Sequence, residues 1–221
     1  MKSIFALLLF ASSTPAQTPL RLVIAGDSTV AEYPATTPQR GWGQYIQGYF
    51  TDSVQVTNLA KGGRSTKTFF NEGLWAKALA LKPDVVLIQF GHNDSHDPKN
   101  PEATNAATDY PNYLRQFVDE ARAAGALPIL ITPVQRRTKV DTLVPYAEAM
   151  RKVAAEKQVA LIDLHASSGK LYRDLGEAGA AELAANSTDG THFNEKGARA
   201  IAALVIKELL DLDPRLKKEL R

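Results

Sequence analysis

The chain contains no cysteine, which excludes disulfide staples, thiolate metal sites and a cysteine nucleophile together. Its core has to suffice for stability. Long apolar runs are also missing: beyond a short N-terminal stretch, no segment approaches the ~20 residues of a membrane-spanning helix. Charge of one sign is scarce too, since 26 Lys and Arg stand against 24 Asp and Glu for a formal net charge of +2. No basic block of the kind that tracks nucleic acid stands out. The expectation is a protein with neither a membrane nor a nucleic-acid partner.

What is present is the balance of an ordinary globular protein, 44% hydrophobic and 23% charged over 221 residues. That length suits one α/β domain with a full core and is short for two. At the N-terminus, Met1-Lys2-Ser3 is followed by an apolar run and then by small residues through Ala16, the order of a secretory signal peptide. The reading is a signal peptide over 1–16, a single domain over 17–221, and export to the periplasm or medium. The oligomeric state is left open.

Apolar runs at 21–26, 54–57, 84–90, 127–132 and 159–162 are short, apolar on both sides and bounded by turn residues, as strands of a covered parallel sheet are. Helical stretches lie at 41–51, 74–81, 110–124, 143–157 and 195–210, with apolar spacings of three and four. Alternating strand and helix predicts a flavodoxin-like three-layer α/β/α sandwich on a five-stranded parallel sheet. Ligands in such folds bind beyond the carboxyl ends of the strands. The irregular stretches 29–40, 91–109 and 133–142 should gather there, while the Lys- and Glu-rich tail after Asp211 reads as a solvated helix end.

Gly26-Asp27-Ser28-Thr29 stands where the first strand ends, so Ser28 can present its hydroxyl on the ligand face; a plain turn or helix N-cap is the alternative. Asp189-Gly190-Thr191-His192 sets a carboxylate three residues ahead of an imidazole, a spacing that lets the carboxylate reach Nδ1 and leaves Nε2 to accept the serine proton. An Asx-turn beside a solvent-exposed histidine is the bland reading of that pair. Acyl transfer also needs oxyanion donors. Gly63, in Gly62-Gly63-Arg64-Ser65, offers a close backbone N–H, and Asn93, in Gly91-His92-Asn93-Asp94, a side-chain amide.

These four blocks, in this order, resemble the GDSL or SGNH hydrolase superfamily across most of the chain. Thr29 departs from the leucine of the superfamily's name motif. Together with Gly41-Trp42-Gly43, the Gly62 and Gly91 stretches look like the rhamnogalacturonan acetylesterase branch, carbohydrate esterase family 12. The resemblance implies Ser28 as nucleophile, His192 as base and then acid, Asp189 as its orienter, and Ser28, Gly63 and Asn93 as the oxyanion hole. It further implies an acyl-serine route, no metal or organic cofactor, and an acetylated polysaccharide or oligosaccharide as substrate.

Two readings from other classes stand beside it. In His92-Asn93-Asp94-Ser95-His96, His92, Asp94 and His96 would share one face of an extended strand and ligate zinc in a metal-dependent hydrolase or metal-binding protein. A catalytically silent carbohydrate-binding homologue is the other. Trp42, following the nucleophile loop, is expected to stack on a sugar ring, and Trp75 to sit in the core. Arg136 and Arg137 suit substrate carboxylates, with a solvated loop as the alternative. His165 reads as a surface or capping residue.

Overall fold

The computed structural model describes residues 18–221, so the expected signal peptide lies outside the described residues. Five parallel strands, β1 (Leu20–Gly26), β2 (Val54–Asn58), β3 (Val85–Gln89), β4 (Leu127–Ile131) and β5 (Ala160–Ile162), form one sheet in the order β2-β1-β3-β4-β5. Strand β1 shows why both faces had to be apolar. Leu22 and Ile24 enter the core on one face, Val23 and Ala25 the core on the other, as the period of two dictates.

Helices cover both faces. Helix α3 (Asp109–Ala123) buries Leu114, Phe117, Val118 and Ala121 on one side, and α4 (Val144–Lys157) packs beside it. On the other side α6 (Glu195–Leu212) buries Ala198, Ile201, Ala202 and Val205 against a 3-10 helix, Trp42–Tyr49. Asn194 caps α6 by accepting from the Gly197 N–H at 2.9 Å. This fixes the helix start just past His192 and satisfies an orphan donor.

The expected sandwich is therefore the observed one, with differences at its edges. The stretch read as a helix over 41–51 is 3-10, and two α-helices went unread: α1 (Thr66–Asn71), capped by Ser65, and α5 (Leu164–Ala181). Helix α2 spans Leu74–Ala80. The tail is largely solvated, as expected, but a short α7 (Pro214–Lys217) buries Leu216 and the chain beyond it pairs Leu220 with Phe50. Apolar contact and backbone pairing anchor it despite the charged composition there.

Successive strands leave β1 in opposite directions, β2 to one side and β3 to the other. The connections diverge at their carboxyl ends and leave a crevice between β1 and β3. Ser28 lies just past β1, and Asn93 just past β3.

Candidate active site

The crevice collects the residues that the four sequence blocks carry. Ser28 Oγ lies 2.9 Å from His192 Nε2, and His192 Nδ1 lies 2.9 Å from Asp189 Oδ2. The other Asp189 oxygen accepts the backbone N–H groups of Thr191 and His192, each at 2.8 Å. One carboxylate thus folds its own turn and orients the ring. Burial pushes the Asp189 carboxyl upward, but the amides of His192 and Thr191 and the imidazole outweigh it and hold it below the usual carboxylate value. It stays ionised and keeps the Nδ1 proton on its own side of the ring. A serine, an imidazole and an ionised carboxylate in this line can take a hydroxyl proton and return it.

Candidate hydrogen-bond donors surround the serine. Gly62 lies close to Ser28, since a Cβ built on it would stand 3.7 Å from Ser28 Cβ. Gly63 sits at φ 77°, a left-handed conformation that glycine adopts freely. The backbone N–H groups of Ser28 and Gly63 find no protein acceptor among the described residues. Asn93, 6% exposed, donates one Nδ2 hydrogen to the Arg64 carbonyl at 2.9 Å, which anchors the amide and leaves its second hydrogen free.

Beneath the serine runs a buried polar chain. Trp42 Nε1 donates to Gln89 Oε1 at 2.8 Å, Gln89 Nε2 to Thr29 Oγ1 at 2.9 Å, and Thr29 Oγ1 to Asp27 Oδ1 at 2.8 Å. His92 Nδ1 approaches Asp27 Oδ2 at 3.3 Å. Burial acts to raise the Asp27 carboxyl, yet His92 and the Thr29 bonds leave it lowered. Thr29 is explained here: its hydroxyl accepts from one neighbour and donates to the other, and leucine would leave both short of a partner.

Several expectations need correction. Trp42 is fully buried and bound to Gln89, so it offers no face to a sugar; the fold turns it inward beneath the site. Trp75 is core, as expected. His92, Asp94 and His96 lie in a turn rather than a strand, so alternate positions share no face. His92 meets Asp27, Asp94 accepts from Thr66 and Thr104, and His96 pairs with Glu102. Among the described residues no group of three such side chains converges on a metal position.

Arg136 and Arg137 are not a solvated pair. Arg136 donates to Thr191 Oγ1 at 3.0 Å and to the His92 carbonyl at 3.2 Å. Arg137 Nη2 donates to the carbonyls of His192, at 2.7 Å, and Asp189, at 3.3 Å, with its guanidinium 4.6 Å from the Phe193 ring centroid. The loop after β4 thus braces the turn that carries Asp189 and His192. His165 is no surface residue: its side chain is 12% exposed and its Nε2 lies 2.8 Å from Asp141 Oδ2, tying α5 to that same loop. Tyr33 was not anticipated. It donates to the Ser28 carbonyl at 2.9 Å, and its only sequence signal was membership of the loop after the nucleophile.

Residues 24–200 match the GDSL-like Lipase/Acylhydrolase family. A Bacillus subtilis protein named probable rhamnogalacturonan acetylesterase YesY is 40% identical over 86% of this chain and 93% of its own length. Rhamnogalacturonan acetylesterase RhgT of the same organism is 38% identical over 91% and 94%. Among solved structures, Bacillus subtilis YxiM superposes with a TM-score of 0.78 at 30% identity, covering 88% of this chain, which spans 57% of that one. The family match over most of the chain, on the same fold, establishes that this protein belongs to the GDSL-like lipase and acylhydrolase family.

Proposed function

We propose that the protein is a serine acetylesterase that removes acetyl groups from a pectic polysaccharide of the rhamnogalacturonan type. One observation carries the reading: the unbroken line from Asp189 through His192 to Ser28, with both links at 2.9 Å. The names of two full-length relatives, both rhamnogalacturonan acetylesterases, support the substrate. The N-terminal residues support export.

In this mechanism Ser28 Oγ attacks the acetyl carbonyl carbon while its proton passes to His192 Nε2. The oxyanion accepts hydrogen bonds from the Ser28 and Gly63 amides and from the free Asn93 Nδ2 hydrogen. Collapse breaks the ester C–O bond, and His192 hands its proton to the departing sugar oxygen, leaving acetyl-Ser28. Water then attacks the same carbon, gives its proton to His192, and the serine recovers it as acetate leaves. Asp189 keeps its charge throughout and stabilises the transient imidazolium.

The test is acetate release from acetylated rhamnogalacturonan, acetylated xylan and a neutral aryl acetate, with Ser28→Ala as blank. The wild type is expected to release acetate, with rhamnogalacturonan preferred among the polymers. A Ser28→Ala protein that keeps more than a small fraction of the rate overturns the serine mechanism. Preference for xylan overturns the substrate.

A further inference from the structure

A cavity of about 650 Å³ lies between the loop after β4 and helix α5. Its charge is one-sided: Arg136, Arg137, Lys139 and Arg173 line it against the single carboxylate of Glu177. For a chain whose whole net charge is +2, this is a marked local concentration of cations. Lys139 and Arg173 form no ion pair among the described residues, and both are exposed. Four buried polar atoms on its lining side chains, Arg136 Nε, Arg137 Nε, Arg137 Nη1 and the Tyr172 hydroxyl, find no hydrogen-bond partner among the described residues. These atoms lie behind the cavity wall, with the Arg137 guanidinium 5.7 Å from the Tyr172 ring centroid, so Lys139 and Arg173 are the cations open to a ligand.

The backbone makes the room. Helix α5 is interrupted at Gly176, where φ 67° and ψ 175° break the helical path, a conformation open to glycine. A Cβ there would meet no atom within 4 Å, and Ala180 and Ala181 continue the wall with small side chains.

We propose that this cavity is a subsite for a carboxylate-bearing sugar unit of the polysaccharide whose acetyl ester reaches Ser28. The proposal rests on the esterase reading above. Guanidinium groups match carboxylate geometry in pairs of parallel hydrogen bonds, and a lysine adds a mobile charge at the rim. The volume falls in the range of pockets that enclose a small ligand. Position completes the case, because Arg137 holds the carbonyls of Asp189 and His192 from the cavity wall, which puts a unit bound there next to the catalytic turn along an extended substrate.

Two measurements test it. The first is the ratio of kcat/KM on acetylated oligogalacturonate to that on acetylated xylo-oligosaccharide, for the wild type and for Lys139→Ala/Arg173→Ala. Loss of two cation contacts in a partly exposed site is expected to lower the ratio about tenfold, with Arg173→Glu lowering it further and raised salt narrowing the gap. The second is calorimetric binding of deacetylated oligogalacturonate to Ser28→Ala protein, with and without Lys139→Ala/Arg173→Ala, and with inorganic phosphate as competitor. Weaker binding in the triple variant supports the subsite. An unchanged ratio together with unchanged binding overturns it and leaves the esterase reading standing. Equal displacement by millimolar phosphate overturns its assignment to a sugar carboxylate. If no acetate release depends on Ser28, the esterase reading fails, and the binding measurement still decides the cavity.

Discussion

Replacing Arg137 by alanine should damage turnover far more than stability. Its Nη2 holds the His192 carbonyl at 2.7 Å and the Asp189 carbonyl at 3.3 Å, while its guanidinium stacks 4.6 Å from Phe193. Hydrogen bonds from a charged donor are worth about 1.5–3 kcal/mol, and a partly desolvated cation on an aromatic face about 1–2 kcal/mol. Two features oppose that loss. The His192 carbonyl keeps a second donor in the Ala185 N–H at 3.0 Å. Deleting the guanidinium also removes Nε and Nη1, which have no partner among the described residues; each such buried donor costs about 1–3 kcal/mol. The net loss should be about 1–2 kcal/mol, or ~2–8 °C in Tm for a domain of this size.

Catalysis is the more sensitive readout, even though the turn keeps the Arg137 backbone N–H on the Gly190 carbonyl at 2.7 Å and Arg136 on Thr191 Oγ1 at 3.0 Å. A turn that has lost one of its braces lets the imidazole drift, and displacement of ~1 Å costs roughly 10²-fold in rate. Arg137→Ala should therefore lower kcat by about 10–100-fold on a small aryl acetate, with KM little changed. Arg137→Lys should recover part of it, because one ammonium reaches a carbonyl but cannot span both. Steady-state kinetics on the aryl acetate, with thermal unfolding in parallel, makes the measurement. A wild-type kcat in Arg137→Ala, or a loss carried wholly by KM, refutes the brace.

Other outcomes are expected as well. Ser28→Ala and His192→Ala should each abolish turnover with the fold intact by circular dichroism, and the double variant should be no worse than either, because the two act as one unit; additive losses would contradict this. Asn93→Ala should lower kcat by ~10²–10³ at nearly constant KM, the scale of one oxyanion donor, whereas a KM effect alone would make Asn93 a substrate contact. Asp94 is buried, and burial pushes its carboxyl up to about 7 against hydrogen bonds from Thr66 and Thr104. The folded state therefore holds this proton more tightly than the unfolded chain, whose ordinary value is 3.8, so the contribution to stability is lost as pH rises from about 4 to about 7. Chemical denaturation should find Asp94→Asn gaining on the wild type across that window and level above it; a difference independent of pH refutes the assignment.

The layered fold was legible because parallel strands covered on both faces must be apolar throughout, and the runs at β1, β3 and β4 carry that mark unmistakably. Helix α5 was not legible, since Gly169, Gly176 and Gly179 each lower helix propensity by about 1 kcal/mol relative to alanine. The structure keeps the helix by packing it against α6, letting Gly169 take the close approach of the Gln135 side chain, and yielding only at Gly176.

The candidate triad was legible from its spacing, since a three-residue turn joins Asp189 to His192 by local geometry, and Ser28 stands at a strand end. Distances of 2.9 Å between Ser28 and His192, 164 positions apart, were not in the sequence. They depend on β1 and the start of α6 meeting over one crevice. By itself the sequence determined which segments must be buried on both faces and which residue types can perform acyl transfer, because both follow from local chemistry and short-range spacing. The tertiary structure alone decided that Trp42 turns inward to Gln89, that His92, Asp94 and His96 part to separate partners, and that Arg136 and Arg137 brace the turn carrying Asp189 and His192. Each of those outcomes depends on which distant backbone a side chain meets once the layers have packed.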